Sequence, residues 1–214
     1  MKCLIVLAKA PAPGKVKTRL CPPLTHGGAA RLAEAFLLDS LEEFAALAVD
    51  VRLYLAGSWT YRGDLLCGAS LHRQSTGSLG DRLMHAFQES TEQGYREIVV
   101  TGTDHPTLPK HWVMEALKHL ELPDSAAIGP AADGGFYLLG LNPYASEAFA
   151  GEFSHPLVFA ETHARLTRRW ERVHVLPEWY DIDTAVDLRR LAQDLRTYAG
   201  CLRTKQVLAS VRVR

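Results

Sequence analysis

Apolar positions along the chain follow two rhythms that take turns. Short unbroken apolar runs, closed by glycine or proline, alternate with longer stretches in which apolar residues recur every third or fourth position. The first run, Cys3 to Ala8, is too short for a helix and predicts a buried strand. Ala29, Leu32, Ala33, Phe36, Leu37, Leu41 and Phe44 then keep helical spacing, which predicts an amphipathic helix over Gly27–Ala46. Val49–Ala56 reads as a second strand, with Val51, Leu53 and Leu55 alternating with Arg52 and Tyr54, and Leu71–Gln74 as a short third. A helix follows with Leu79, Leu83, Ala86, Phe87 and Ser90 on its inner face. Glu97–Gly102 predicts a parallel-type strand, Lys110–Leu120 a helix and Ala126–Pro130 another strand. Asp133-Gly134-Gly135 then predicts a hairpin turn into the next apolar run. Residues 144–170 read as helical, with Phe159, His163, Leu166 and Trp170 on one face and His163 as a packing residue. Arg172–Leu176 is a late strand, and Leu188, Leu191, Ala192 and Leu195 mark a helix that opens near Asp183-Thr184. Strands that alternate with helices predict an α/β fold.

Composition narrows the function without choosing it. The 214 residues, 47% hydrophobic and 22% charged, suffice for a full core in a single domain. That domain is expected over residues 1–195, with a basic tail over 196–214 that either packs as a last helix or frays. Lys and Arg number 24 against 24 Asp and Glu, so bulk electrostatics offers no surface for nucleic acid or membrane, and any anion site must be local. No apolar run is long enough to span a bilayer. Cys3, Cys21, Cys67 and Cys201 are scattered without metal-ligand spacing, and the sequence starts on a strand rather than a signal peptide, which gives the expectation of a reducing, cytoplasmic compartment.

The local anion site is sought where the first strand ends. Lys9-Ala-Pro-Ala-Pro-Gly14-Lys15-Val-Lys17-Thr-Arg19 is a loop stiffened by Pro11 and Pro13 and allowed to turn at Gly14. Its cations Lys9, Lys15, Lys17 and Arg19 follow a core strand, where α/β sheets place their ligands, and a polyanion suits them. The loop is not a P-loop, because Val16 follows Gly14-Lys15. Gly77 and Gly80, ahead of a helix, can bring backbone N–H groups to a base or a phosphate. Asp104, set between Gly102 and Pro106 past a central strand, is the candidate metal ligand, the alternative being a cap for the next helix. Asp133 is a second acid that could face a sugar or acceptor, with Gly134-Gly135 allowing close approach, or it simply belongs to the turn. Asp183 or Thr184 either caps the late helix or contributes to metal binding.

The loop from Lys9 to Arg19, the Gly77-Ser-Leu-Gly-Asp-Arg-Leu83 stretch, Gly102-Thr-Asp-His-Pro106, Gly129-Pro-Ala-Ala-Asp-Gly-Gly-Phe-Tyr137 and Asp181-Ile-Asp-Thr184 occur in one order that resembles a family. It is similar to the small glycosyltransferase-A-like proteins of the nucleotide-diphospho-sugar transferase superfamily, related to the molybdenum-cofactor and 2-phospholactate guanylyltransferases. The resemblance implies a three-layer α/β/α sandwich with a mostly parallel mixed sheet and a nucleotide across the first strand's loop. It implies that Asp104 holds Mg2+ or Mn2+, with Asp183 a possible second ligand. The implied reaction moves a sugar from a nucleoside diphosphate sugar to a small-molecule acceptor. Lys15, Lys17 and Arg19 would offset charge on the departing diphosphate, and Asp133 would bind the acceptor or act as base. Relatives carry Trp-Ser where this chain has Phe153-Ser154, so Ser154 is the acceptor-side residue that the pattern implies. Two other expectations stand beside it: nucleotidyl transfer from a nucleoside triphosphate with pyrophosphate release, and a non-catalytic nucleotide-binding module.

Overall fold

The computed structural model describes residues 1–60 and 63–211. Strands β1 (Lys2–Lys9), β2 (Asp50–Ala56), β3 (Ser70–Arg73), β4 (Glu97–Thr101), β5 (Ser125–Pro130), β6 (Phe136–Asn142) and β7 (Arg172–Val175) form one sheet in the order β3-β2-β1-β4-β6-β5-β7. The helices are α1 (His26–Ala45), α2 (Leu79–Glu92), α3 (Lys110–His119), α4 (Val158–Arg169), α5 (Ala185–Asp194) and α6 (Leu202–Ser210). β6 runs antiparallel to β4 and β5, and the other strand pairs are parallel.

β1 reads as an unbroken apolar run because both of its faces are covered. Leu4 and Val6 pack with Leu37 and Leu41 of α1 and with Val113 and Ala116 of α3. Cys3 and Ile5 face the other way, into Leu83 and Phe87 of α2 and Leu166 of α4. Helices therefore cover the sheet on both sides, the three-layer mixed sandwich expected from the sequence. Ordinary area bookkeeping gives about 1.5–3 kcal/mol for each such aliphatic side chain fully buried.

Topology places the cleft. From β1 the chain runs outward through β2 to β3, then returns to put β4 on β1's other side. The strand order reverses between β1 and β4, and the carboxyl ends of these two parallel strands open a crevice there.

The structure corrects two sequence expectations and decides a third between its alternatives. Residues 144–170 are not one helix: a 3-10 turn over Ser146–Phe149 and an irregular segment precede α4. Gly151, at φ +102°, and Pro156 break the helical run, and the hairpin tip packs on that break, where a Cβ at Gly134 would lie 2.0 Å from the Pro156 carbonyl oxygen. The Phe159 N–H also donates to the Gly134 carbonyl at 2.8 Å, which ties the hairpin tip to the start of α4. Leu79 is 45% exposed rather than part of the inner face, because the first turn of α2 overhangs the cleft instead of the sheet. The basic tail contains a packed helix, α6, held against α1 by the buried Asp39, whereas residues 212–214 lie outside the described residues. Cys3, Cys21, Cys67 and Cys201 are free. Among the described residues no helix is long and apolar enough to cross a membrane.

Candidate functional site

The loop after β1 is built to hold its cations at fixed places. Lys15 N–H donates to Ala12 O at 3.0 Å, closing a turn with Pro13 second and Gly14 third at φ +73°. This is the type II pattern, which places proline's fixed φ and glycine's positive φ in those positions. Val16 and Leu20 bury their side chains and anchor the loop. Between them Lys17 adopts a left-handed backbone, φ 48° and ψ 36°, which turns its side chain inward while Lys9, Lys15 and Arg19 stay exposed.

Lys17 meets two carboxylates. Its ammonium lies 2.8 Å from Asp104 Oδ1 and 3.1 Å from Asp183 Oδ1, with only 6% of its side chain exposed. Burial pulls its pKa down, but the Asp104 and Asp183 charges outweigh that and hold it above its ordinary value. Arg19 reaches Asp183 at 3.4 Å from an exposed position, where screening leaves an ion pair worth little.

The local folds that free these acids are visible. Thr184 caps α5: its hydroxyl accepts the Asp187 N–H, and Asp187 accepts the Thr184 N–H at 2.7 Å, a capping box. Of the two candidate caps Thr184 does the capping, and Asp183 turns to Lys17. Pro109 is the residue ahead of α3, so Asp104 caps nothing there.

Below the carboxylates is a buried polar floor that sequence reasoning missed. His105 Nδ1 lies 3.2 Å from Asp181 Oδ1 and its Nε2 lies 2.9 Å from Thr101 Oγ1. Thr101 donates its own proton to Tyr137 O at 2.9 Å, joining β4 to β6. Gln74 was missed as well. Its Nε2 donates to Ala8 O and Tyr54 O, each at 2.9 Å, stitching β1 and β2 where they open into the cleft. A polar residue just past an apolar strand is the one signal that could have marked Gln74 and His105.

These groups line a cleft of about 710 Å³, together with Gly77, Ser78, Leu79 and Arg82 at the start of α2. Of the residues expected from the sequence, the cleft brings together Lys9, Lys15, Lys17, Arg19, Gly77, Asp104 and Asp183. Gly14 shapes the turn behind it. Gly80 is buried in α2 against Phe153, where a Cβ would lie 2.9 Å from the ring. Asp133 accepts the Gly135 N–H at 2.9 Å within the hairpin turn, and Asp133, Gly134, Gly135 and Ser154 lie outside the cleft lining. Among the described residues, no three His, Cys, Asp or Glu side chains gather as a complete metal cage.

A mixed sheet covered on both faces, with an anion-ready loop after β1 and acids after β4 and before α5, is the nucleotide-diphospho-sugar transferase fold. The chain belongs to the family described as "Uncharacterized protein conserved in bacteria (DUF2064)", whose model matches residues 38–154. It is 32% identical to a Desulfovibrio desulfuricans G20 protein provisionally described as a nucleotide-diphospho-sugar transferase, over 98% of this chain and 94% of that one, with a TM-score of 0.87. Rv0371c from Mycobacterium tuberculosis H37Rv, solved in complex with manganese, shares the fold at 16% identity, covering 90% of this chain and 99% of that one with a TM-score of 0.55. So does a CMP:2-keto-3-deoxy-manno-octonic acid synthetase complexed with CTP, at 10% identity, 91% and 98% coverage and a TM-score of 0.52. No curated protein matches the sequence.

Proposed function

We propose that the protein is a metal-dependent transferase that moves a sugar from a nucleoside diphosphate sugar to a small-molecule acceptor. One observation carries this reading: a cation is already held between Asp104 and Asp183 at the mouth of a cleft rimmed by Lys9, Lys15 and Arg19. The ammonium of Lys17 stands in for a metal. Hard oxygen donors that grip it at 2.8 and 3.1 Å suit Mg2+ or Mn2+, which need few protein carboxylates because water and phosphate complete their shells. Asp104 and Asp183 would hold that ion, which when bound supplies charge neutralisation to phosphate oxygens.

The protein's own groups do the rest. Lys15, Lys17 and Arg19 offset the charge that gathers on the departing diphosphate, each charge-assisted hydrogen bond contributing about 1.5–3 kcal/mol. Gly77 lines the opposite wall, where its backbone would approach a base or phosphate, and Lys9 adds long-range attraction. The acceptor enters beside Phe136, the hairpin residue that lines the cleft and meets Phe153 edge-on at 6.0 Å. On that side the hairpin tip with Asp133, Gly134 and Gly135, together with Ser154, would meet the acceptor, and Asp133 is the proposed base. Free thiols suit a cytoplasmic setting.

Nucleotidyl transfer is the second reading, favoured by a basic loop that suits a triphosphate at least as well and by a fold neighbour that holds CTP. A panel of sugar nucleotides and nucleoside triphosphates, each with and without Mg2+ or Mn2+, separates the two. Release of a nucleoside diphosphate from one sugar nucleotide is the expected result. Pyrophosphate release from a triphosphate instead would move the assignment to the second reading, and no metal-dependent binding of any nucleotide would sink both.

A further inference from the structure

We propose that Lys17 is the resident cation of the Asp104–Asp183 pair and makes metal binding conditional on an incoming phosphate. The inference rests on the metal reading above and adds an order to it. Both Oδ1 atoms converge on one ammonium, at 2.8 and 3.1 Å. A divalent ion that approaches the pair alone meets a positive charge at contact distance, and the two cations compete for the same oxygens.

Lys17 cannot simply step aside into water. Its side chain is 6% exposed, while Asp104 and Asp183 are 54% and 36% exposed, so the ammonium occupies the inner side of the pair and the carboxylates face the cleft. An ammonium released there needs another anion, because an unpaired buried charge is strongly disfavoured. Its other close neighbour is the Phe36 ring, 5.9 Å away, which offers no formal charge. A phosphate oxygen in the cleft supplies what is missing. The exchange conserves ion pairs: the ammonium passes from carboxylates to phosphate, and the carboxylates pass from ammonium to metal. The anchored flanks Val16 and Leu20 and the left-handed backbone at Lys17 hold the main chain, so only the side chain moves. Metal and phosphate therefore bind with positive coupling, and Lys17 is the residue that creates it.

The test is Mn2+ binding to the full chain, followed by the EPR signal of free Mn2+, with and without inorganic pyrophosphate and corrected for Mn2+–pyrophosphate in solution. The parent should bind Mn2+ alone weakly and about tenfold more tightly with pyrophosphate, a coupling of ordinary size. Lys17→Met should bind Mn2+ alone about tenfold more tightly than the parent and lose most of the pyrophosphate effect. Lys17→Gln, one atom shorter but still carrying an uncharged N–H donor toward the carboxylates, should do the same and guards against a folding defect in the first variant. If both variants bind Mn2+ no better than the parent while Asp104→Asn abolishes binding, the metal site stands and the gating role of Lys17 is overturned. If Asp104→Asn and Asp183→Asn bind Mn2+ like the parent, the metal reading falls and this inference with it.

Discussion

The Ile182 N–H donates to the Asp104 carbonyl at 2.8 Å. This one backbone bond joins the loop after β4 to the loop before α5, and it is why Asp104 and Asp183, far apart in sequence, face the same ammonium. His105 and Asp181 repeat the tie one residue along each strand of the junction, at 3.2 Å. The carboxylate pair is thus positioned from behind as well as by the Lys17 ammonium it shares.

His105→Leu removes that second tie and leaves Asp181 and Thr101 without their shared partner. Such supporting groups around metal ligands are worth about 10- to 100-fold in metal affinity, and a loss of that size is expected for Mn2+ bound with pyrophosphate. His105→Gln, which retains a polar group at the centre of the relay, should recover part of it. Equal Mn2+ affinity in parent and Leu variant would show that the junction holds without the imidazole.

Asp104→Asn separates two roles by one measurement each. Nucleotide binding that depends on metal should disappear in a titration. Stability should fall by only about 1 kcal/mol, below the usual cost of losing a charge-assisted partner, because the carboxylate is 54% exposed and solvent screens the pair. A drop of several kcal/mol in urea unfolding would mean that the acid serves the fold more than the site.

Much of this was legible in the sequence. The order of elements followed from period, since β1 covered on both faces must read as a continuous apolar run and α1 covered on one face as a stripe. The approach of the loop to acids after β4 followed from where parallel strands end. What stayed hidden depends on partners distant in the chain. Nothing local tells that the Gln74 amide spans the carbonyls of Ala8 and Tyr54, or that Gly134 must admit the Pro156 carbonyl, whereas Gly151 and Pro156 themselves marked the break before α4. The choice between Asp183 and Thr184 as cap was equally closed to pattern, because both types cap well.

Removing the cap tests the link between α5 and the site. Thr184→Ala should cost about 0.5–2 kcal/mol and loosen Asp183, so that thermal stability and Mn2+ affinity fall together. Its partner Asp187 makes the effect pH-dependent. Burial raises the Asp187 pKa, but hydrogen bonds from the Thr184 hydroxyl and the Thr184 and Asp183 backbone outweigh this and hold it below its ordinary value of 3.8. A depressed carboxylate stabilises the fold above its ordinary value and loses that contribution as pH falls through the lowered one. Asp187→Asn should therefore melt below the parent at neutral pH, with the gap closing in acid. A gap that widened in acid would reverse the sign of this argument.

The last helix depends on one buried acid. Asp39, on α1, has 1% of its side chain exposed and accepts the Thr204 N–H at 2.8 Å, the Thr204 hydroxyl at 2.7 Å and the Arg203 N–H at 3.2 Å. It serves the N-terminus of α6 from a neighbouring helix, where the residue ahead of α6, Cys201, gives no side-chain cap. Arg203 pairs with the same carboxylate at 3.3 Å. Asp39→Ala would leave the Arg203 and Thr204 N–H groups without their acceptor, while the 32% exposed Arg203 guanidinium keeps its pair with Glu42, so a loss of about 1–3 kcal/mol is expected, the cost of buried donors left unsatisfied. Hydrogen exchange should then rise across Leu202–Ser210 while the β1 amides remain protected, because α6 packs on the outer side of α1 and the sheet keeps its other layer. Unchanged exchange in α6 would mean that Val207 and Leu208, packed in the apolar cluster with Leu32 and Phe36, hold the helix without the carboxylate.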